Sequence, residues 1–349
     1  MKQKAKFNRI ILAGALLALM GCFASAYWFW TIWQAQQQAA QFQQAIQTQV
    51  DTLLQQHHPD GLWLIGQLKT LPLKVQLDAD STIEWKAVDP VAVYVSRPEL
   101  ESVLFDLGTL LHEGSHIYHS RAGLVKAVSQ QLHTHEKQDF FNYWLNPKTQ
   151  FLVRADSVFP AREIAALLPK AVHTDRLSEY ITTSDSAMAT QSSGLYGLID
   201  EWVAYYQGLR TEVALLKVVS TQSVMLPESE RRAWLAFASR MSSGYLAYFE
   251  FKLYLLAYLY HAQTQHPQIY QTLLANPMLK QVLAEVNQAY QTMLPQYLRL
   301  RMQYVAGQSA QSQAFIADLQ AKQQQLEAEI NKPIYLSLRQ QFMLEGLKR

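Results

Sequence analysis

A lone cysteine, Cys22, serves all 349 residues, so no disulfide framework can form within the chain. A basic surplus is missing as well. The 30 Lys and Arg stand against 28 Asp and Glu, and four of the basic residues, Lys2, Lys4, Lys6 and Arg9, cluster at the start. Without those four, 26 basic residues face 28 acidic ones. The electrostatic footprint of nucleic-acid binding is therefore absent, and no nucleic-acid partner is expected. No internal repeat is visible. A second long uncharged apolar run is also lacking: residues 245–260 are nearly apolar but contain Glu250 and Lys252, which reads as a buried helix rather than a membrane span.

One uncharged run does exist. Residues 10–33 follow the basic cluster without a charged side chain, long enough to cross a bilayer as one helix with the N-terminus inside. Tyr27, Trp28, Phe29, Trp30 and Trp33 crowd its far end, where an aromatic belt belongs. The expected address is the bacterial inner membrane, single-pass, with the remainder in the periplasm. Two alternatives export the same remainder. Leu19-Met20-Gly21-Cys22 resembles a lipobox that would lipidate Cys22, and Ala24-Ser25-Ala26 suits cleavage after Ala26.

The chemistry-bearing stretch is Leu110-Leu111-His112-Glu113-Gly114-Ser115-His116-Ile117-Tyr118. On a helix, residues four apart share a face, so His112 and His116 can present imidazoles to one metal ion. Glu113 then points beside that pair, where a carboxylate can act as general base on an activated water. The surroundings predict a helix. Ser96 with Glu99 reads as a capping box, and Pro98 is tolerated in the first turn. Val103, Leu104, Leu107, Leu110, Leu111 and Ile117 fall at helical spacing, and Arg121 with Gly123 reads as a last turn and C-cap.

This His-Glu-x-x-His pattern resembles the active helix of the zincin metallopeptidases. The resemblance implies that both His bind one Zn²⁺ ion and that Glu113 activates water. The metzincin continuation is not matched, since His119 and Ala122 stand where it has Gly and His; His119 is expected behind the ligands at most.

A catalytic zinc site needs a third protein ligand and an open position. Glu201 is the leading candidate. Gly194, Gly197, Glu201, Ala204 and Gly208 form one stripe of a predicted helix, and three helical glycines at about 1 kcal/mol each imply a close neighbour. If that stripe packs on the Gly108-His112-His116 side, Glu201 reaches the metal. Its Glu-x-x-Ala-Tyr pattern also resembles third-ligand helices of gluzincins. Glu136, in a polar run twenty residues after His116, is the alternative, with Glu179 and Glu250 behind it. Tyr205, one turn after Glu201, is placed to hydrogen-bond a ligand or an oxyanion.

The expected fold class is α+β and predominantly helical: a small N-terminal sheet, the zincin-like active helix, then a large helical C-terminal part. Four runs, residues 62–65, 74–77, 83–86 and 91–95, read as strands. Residues 143–193 read as an irregular insertion that forms a lid or substrate wall, and residues 311–331 as a projecting coiled stalk. The expected organisation is a signal anchor or signal peptide over 1–33, a Gln-rich helical stem over 34–60, a zincin-like catalytic region over 61–210 and a helical region over 211–349. The function implied is that of a membrane-anchored periplasmic zinc metallopeptidase acting on a peptide or protein. A non-catalytic envelope scaffold and a zinc hydrolase of a nonpeptide substrate are the alternatives, since the pocket rather than the metal decides the substrate.

Overall fold

The structure is a computed structural model that describes residues 2–132, 139–222, 225–305 and 309–345, with side chains from residue 28 onward. The chain is predominantly helical and carries two small antiparallel sheets, an α+β fold. Helix α1 (Lys2–His57) is exposed through its aromatic and Gln-rich middle and docks only at its end, where Ile46, Val50, Leu53 and Leu54 are buried. Among the described residues no helix is long and apolar enough to cross a membrane. The expected anchor, the lipobox and the cleavage site fall largely or wholly before residue 28, where no side chain is described.

Helix α2 (Pro59–Thr70) follows, then the hairpin of β1 (Lys74–Gln76) and β2 (Thr82–Glu84), paired Val75 to Ile83. The short helix α3 (Pro90–Tyr94) leads into α4 (Leu100–Ser129). Two of the four expected strands are thus helical. Residues 62–65 lie inside α2, which starts on Pro59, and residues 91–95 fall in α3 and its cap, where the Asp89 side chain accepts a hydrogen bond from the Val91 N–H. In both, a proline at the first helical position outweighs the strand preference of a short apolar run.

Both expected ends of α4 also move. Glu99 is its N-cap without a side-chain bond, and Ser96 instead donates through its N–H and hydroxyl to Asp106. At the other end Gly123 is interior, not a cap. A Cβ there would run into the Phe140 carbonyl, so the glycine lets the next strand lie directly on the helix. That strand, β3 (Phe140–Asn146), pairs antiparallel with β4 (Thr149–Arg154) through a bulge between Trp144 and Asn146.

Short turns lead from β4 to α5 (Ala189–Ser192) and the central helix α6 (Gly194–Gln222). Gly194, at φ +51°, opens α6 in the left-handed region that glycine tolerates. Then come α7 (Glu228–Ser239), α8 (Leu246–Gln265), α9 (Pro267–Ala275), α10 (Pro277–Val305), α11 (Ala310–Ile330) and α12 (Leu336–Gln341). Helix α8 is buried on all sides from Leu246 to Leu259, as a helix apolar all round must be. Residues 245–260 are therefore an interior helix, as their composition implies. Helix α11 does not project as a stalk: Leu319, Leu326 and Ile330 are buried, and it lies back along α8.

Candidate metal centre

Helices α4 and α6 run antiparallel and meet where Gly108 faces Gly208. A Cβ on Gly208 would stand 3.3 Å from the Gly108 carbonyl oxygen and 3.8 Å from the His112 Cβ. From that contact, successive turns of α4 bring His112, His116 and His119 opposite Tyr205, Glu201 and Asp200 of α6. The small-residue stripe divides its work. Gly208 admits α4, whereas Gly197 admits the Ala189 backbone of α5 and Gly194 makes room for the Phe159 carbonyl and the Tyr258 hydroxyl.

Three side chains converge at the crossing. His112 Nε2 and His116 Nε2 are 3.2 Å apart, and Glu201 Oε2 lies 3.7 Å from the first and 3.4 Å from the second. Ligand bonds of about 2.1 Å in tetrahedral geometry separate neighbouring ligand atoms by about 3.4 Å, so this triangle is one face of a zinc-sized tetrahedron. Glu201 Oε2 is buried and has no hydrogen-bond donor. A carboxylate oxygen orphaned between two imidazole nitrogens is what a cation site requires, and the donor set fits zinc.

Asp200 holds the imidazoles from behind. Its Oδ2 lies 2.7 Å from His116 Nδ1 and its Oδ1 2.6 Å from His119 Nδ1. The first contact fixes the ring and leaves Nε2 free for a cation. His119 is fully buried and touches Asp200, not the triangle, as its spacing led one to expect. Glu113 Oε1 sits 4.0 Å from His112 Nε2 and is more than a third exposed.

Charge follows this geometry. Burial raises the Asp200 carboxyl, but His116 and His119 outweigh it and hold Asp200 well below the usual carboxylate range. Burial likewise depresses His116, but Asp200 and Glu201 outweigh it and hold His116 well above the ordinary histidine value. Burial, with His116 adding to it, pushes His112 down to about 3. Burial also raises Glu201, against the pull of His116. Without a cation, Asp200 and Glu201 favour the protonated form of His116.

No known protein family, curated protein or solved structure matches this chain. The site therefore stands on its own geometry. Of the competing ligands, Glu136 lies outside the described residues. Glu179 is exposed and outside the triangle, and Glu250, fully buried, pairs with Arg176 at 2.6 Å. Tyr205 packs edge-on to the His112 ring at 4.6 Å between centroids, while its hydroxyl meets the Tyr180 hydroxyl at 3.1 Å. The Arg176 guanidinium lies over the Tyr205 ring at 4.7 Å.

Several contributors escaped sequence reasoning. Asp200 was visible only as a neighbour of Glu201, though an Asp-Glu pair inside a buried small-residue stripe is itself a signal. Arg176, Tyr180 and Tyr94, whose hydroxyl is raised by burial and then by Glu113, lie far away in sequence and carry no local mark.

A cavity of about 710 Å³ opens beside the triangle, with His116, Asp200 and Glu201 on its wall. Leu77, Ile83 and Trp85 of the first hairpin face Phe140 and Phe141 of β3 across it. Ala187, Ala189, Ser192 and Ser193 close a further side, so the end of the 143–193 segment is a wall of this cleft.

Proposed function

We propose that this chain is a zinc-dependent metallopeptidase. The observation that carries the reading is the orphaned Glu201 Oε2 set against two imidazole nitrogens within 3.7 Å. His112, His116 and Glu201 would hold the ion. When bound, zinc supplies a Lewis acid for a carbonyl oxygen. Glu113, partly solvent-exposed and 4.0 Å from His112 Nε2, would take the proton of an attacking water and deliver it to the leaving amine. Asp200 keeps His116 in one orientation through that step. The Tyr205 ring abuts His112, so its hydroxyl, joined to that of Tyr180 at 3.1 Å, would supply a donor next to the triangle. Leu77, Ile83, Trp85 and the β3 aromatics would seat apolar side chains of an extended peptide.

The proposed address is the periplasmic face of an inner membrane. The basic cluster before residues 10–33 supports it, as do Trp28, Phe29, Trp30 and Trp33, each more than half exposed on a helix that docks only further on.

Glu113→Gln is expected to keep its zinc and lose about 10²–10⁴-fold in kcat on unstructured peptides. His116→Ala is expected to lose one equivalent of zinc and all turnover. Wild-type protein that carries no zinc sensitive to His116→Ala would refute the reading at its first step.

A further inference from the structure

A second set of ligand-type side chains gathers away from the α4–α6 crossing. Glu163 belongs to the 3₁₀ turn Ala161–Leu167, His261 to the last turns of α8, and His266 to the joint between α8 and α9. Glu163 Oε2 lies 2.9 Å from His266 Nε2 and 3.5 Å from His261 Nε2, and all three ligand atoms fall within 4.8 Å of one another. Glu163 and His266 are about a third exposed and His261 somewhat less, so solvent reaches all three.

The rings are preset. Phe159 stacks on His266 at 4.5 Å and meets His261 edge-on at 5.3 Å. Phe159 is itself buried, and its backbone N–H and carbonyl are both bonded to the Tyr258 hydroxyl of α8, at 2.9 and 2.7 Å. The neighbouring cation, Arg162, is turned away to Gln191. One carboxylate oxygen thus faces two Nε2 atoms on a fixed aromatic bed, with no competing cation among these contacts.

We propose that Glu163, His261 and His266 form a second, solvent-facing divalent-cation site of the two-imidazole, one-carboxylate type that suits zinc. The site ties the turn before the cleft wall to the α8–α9 corner. Through the Arg162–Gln191 contact this turn is joined to α5, whose Ala189 and Ser192 line the cavity. The ion's role here is structural: it closes a loop of about 100 residues between Glu163 and the corner, and its binding adds to folding stability. A simple ion pair between Glu163 and a protonated His266 is the competing account.

The test uses the full chain and zinc chloride alone. Wild type is expected to bind two equivalents in equilibrium dialysis, His116→Ala one, and His261→Ala/His266→Ala one. His116→Ala should also gain unfolding temperature on zinc addition, and Glu163→Gln in that background should weaken its remaining zinc by at least about 100-fold, the upper end of what loss of a supporting group costs. Glu163→Gln keeps the side-chain volume, so its result does not depend on tolerance of a cavity. A His116→Ala protein that binds no zinc overturns the proposal. So does a stoichiometry unchanged by His261→Ala/His266→Ala. Zinc lost only with His261 and His266 and retained in His116→Ala would support this site while removing the catalytic one.

Discussion

Asp200 is the residue on which the candidate centre at the α4–α6 crossing turns. Through Nδ1 it fixes the His116 ring, and its negative charge favours the protonated form of His116 when no cation is present. Asp200→Asn is expected to weaken zinc binding by about 10–100-fold, as loss of a ligand's outer partner does. Competition with a chromophoric chelator measures it, and an unchanged affinity would mean that the ring is held by packing alone. The pH dependence has a definite sign. His116 is raised above its unfolded value of about 6.5, so its contribution to the metal-free protein is full below that pH and is lost as pH rises through the folded value. Zinc bound at the proposed site would have to displace the same proton, so its affinity is expected to run the other way, rising about tenfold per pH unit below the folded value and levelling above it. His112, already pushed to about 3, is neutral throughout and adds no slope. In Asp200→Asn the levelling point should move to lower pH; an affinity flat from pH 6 to 9 would contradict the ion pair.

Elements bring those residues together, and the Gly108–Gly208 contact sets the distance. Gly208→Val puts branched carbon where 3.3 Å separates a bare Cβ from the Gly108 carbonyl, and overpacking of this kind costs about 1–3 kcal/mol. It should also draw Glu201 away from the imidazoles and lower zinc affinity, whereas Gly66→Ala, in α2 with open space at its Cβ, should stabilise by up to about 1 kcal/mol. Urea unfolding with zinc titration separates the two, and equal effects would remove any special role for the crossing. That α4 and α6 were legible in the sequence follows from their length, since both sustain an apolar stripe at helical spacing, and α6 adds a stripe of small residues beside it. The β3–β4 hairpin was not. Residues 140–145 are buried on every side, so no alternation marks them, and the aromatic run fell partly into a segment read as irregular. Residues 62–65 and 91–95 failed in the opposite direction, because four or five apolar residues fit either state and the proline before each run was the better guide. The hairpin that went unread carries Phe140 and Phe141 into the cleft, so the cleft wall was less legible than the candidate metal ligands.

At the scale of the molecule, the site is held to the C-terminal half by a buried ion pair. Glu250, fully buried on the interior helix α8, binds Arg176 at 2.6 Å; Arg176 covers Tyr205, and Tyr205 abuts His112. The same Glu250 that marks residues 245–260 as unlike a membrane span is therefore a brace behind the candidate metal centre. Taking two charges from water is costly, so such a pair contributes little net stability, yet removing one partner strands the other. Glu250→Leu is expected to cost about 3–5 kcal/mol in urea unfolding, and Arg176→Met about as much, while the double variant should recover most of the loss because it leaves no buried charge behind. Zinc affinity supplies the second axis of the cycle. If Arg176 positions Tyr205 against His112, the double variant regains stability but not the wild-type zinc affinity; if it regains both, the ion pair braces the bundle without acting on the site.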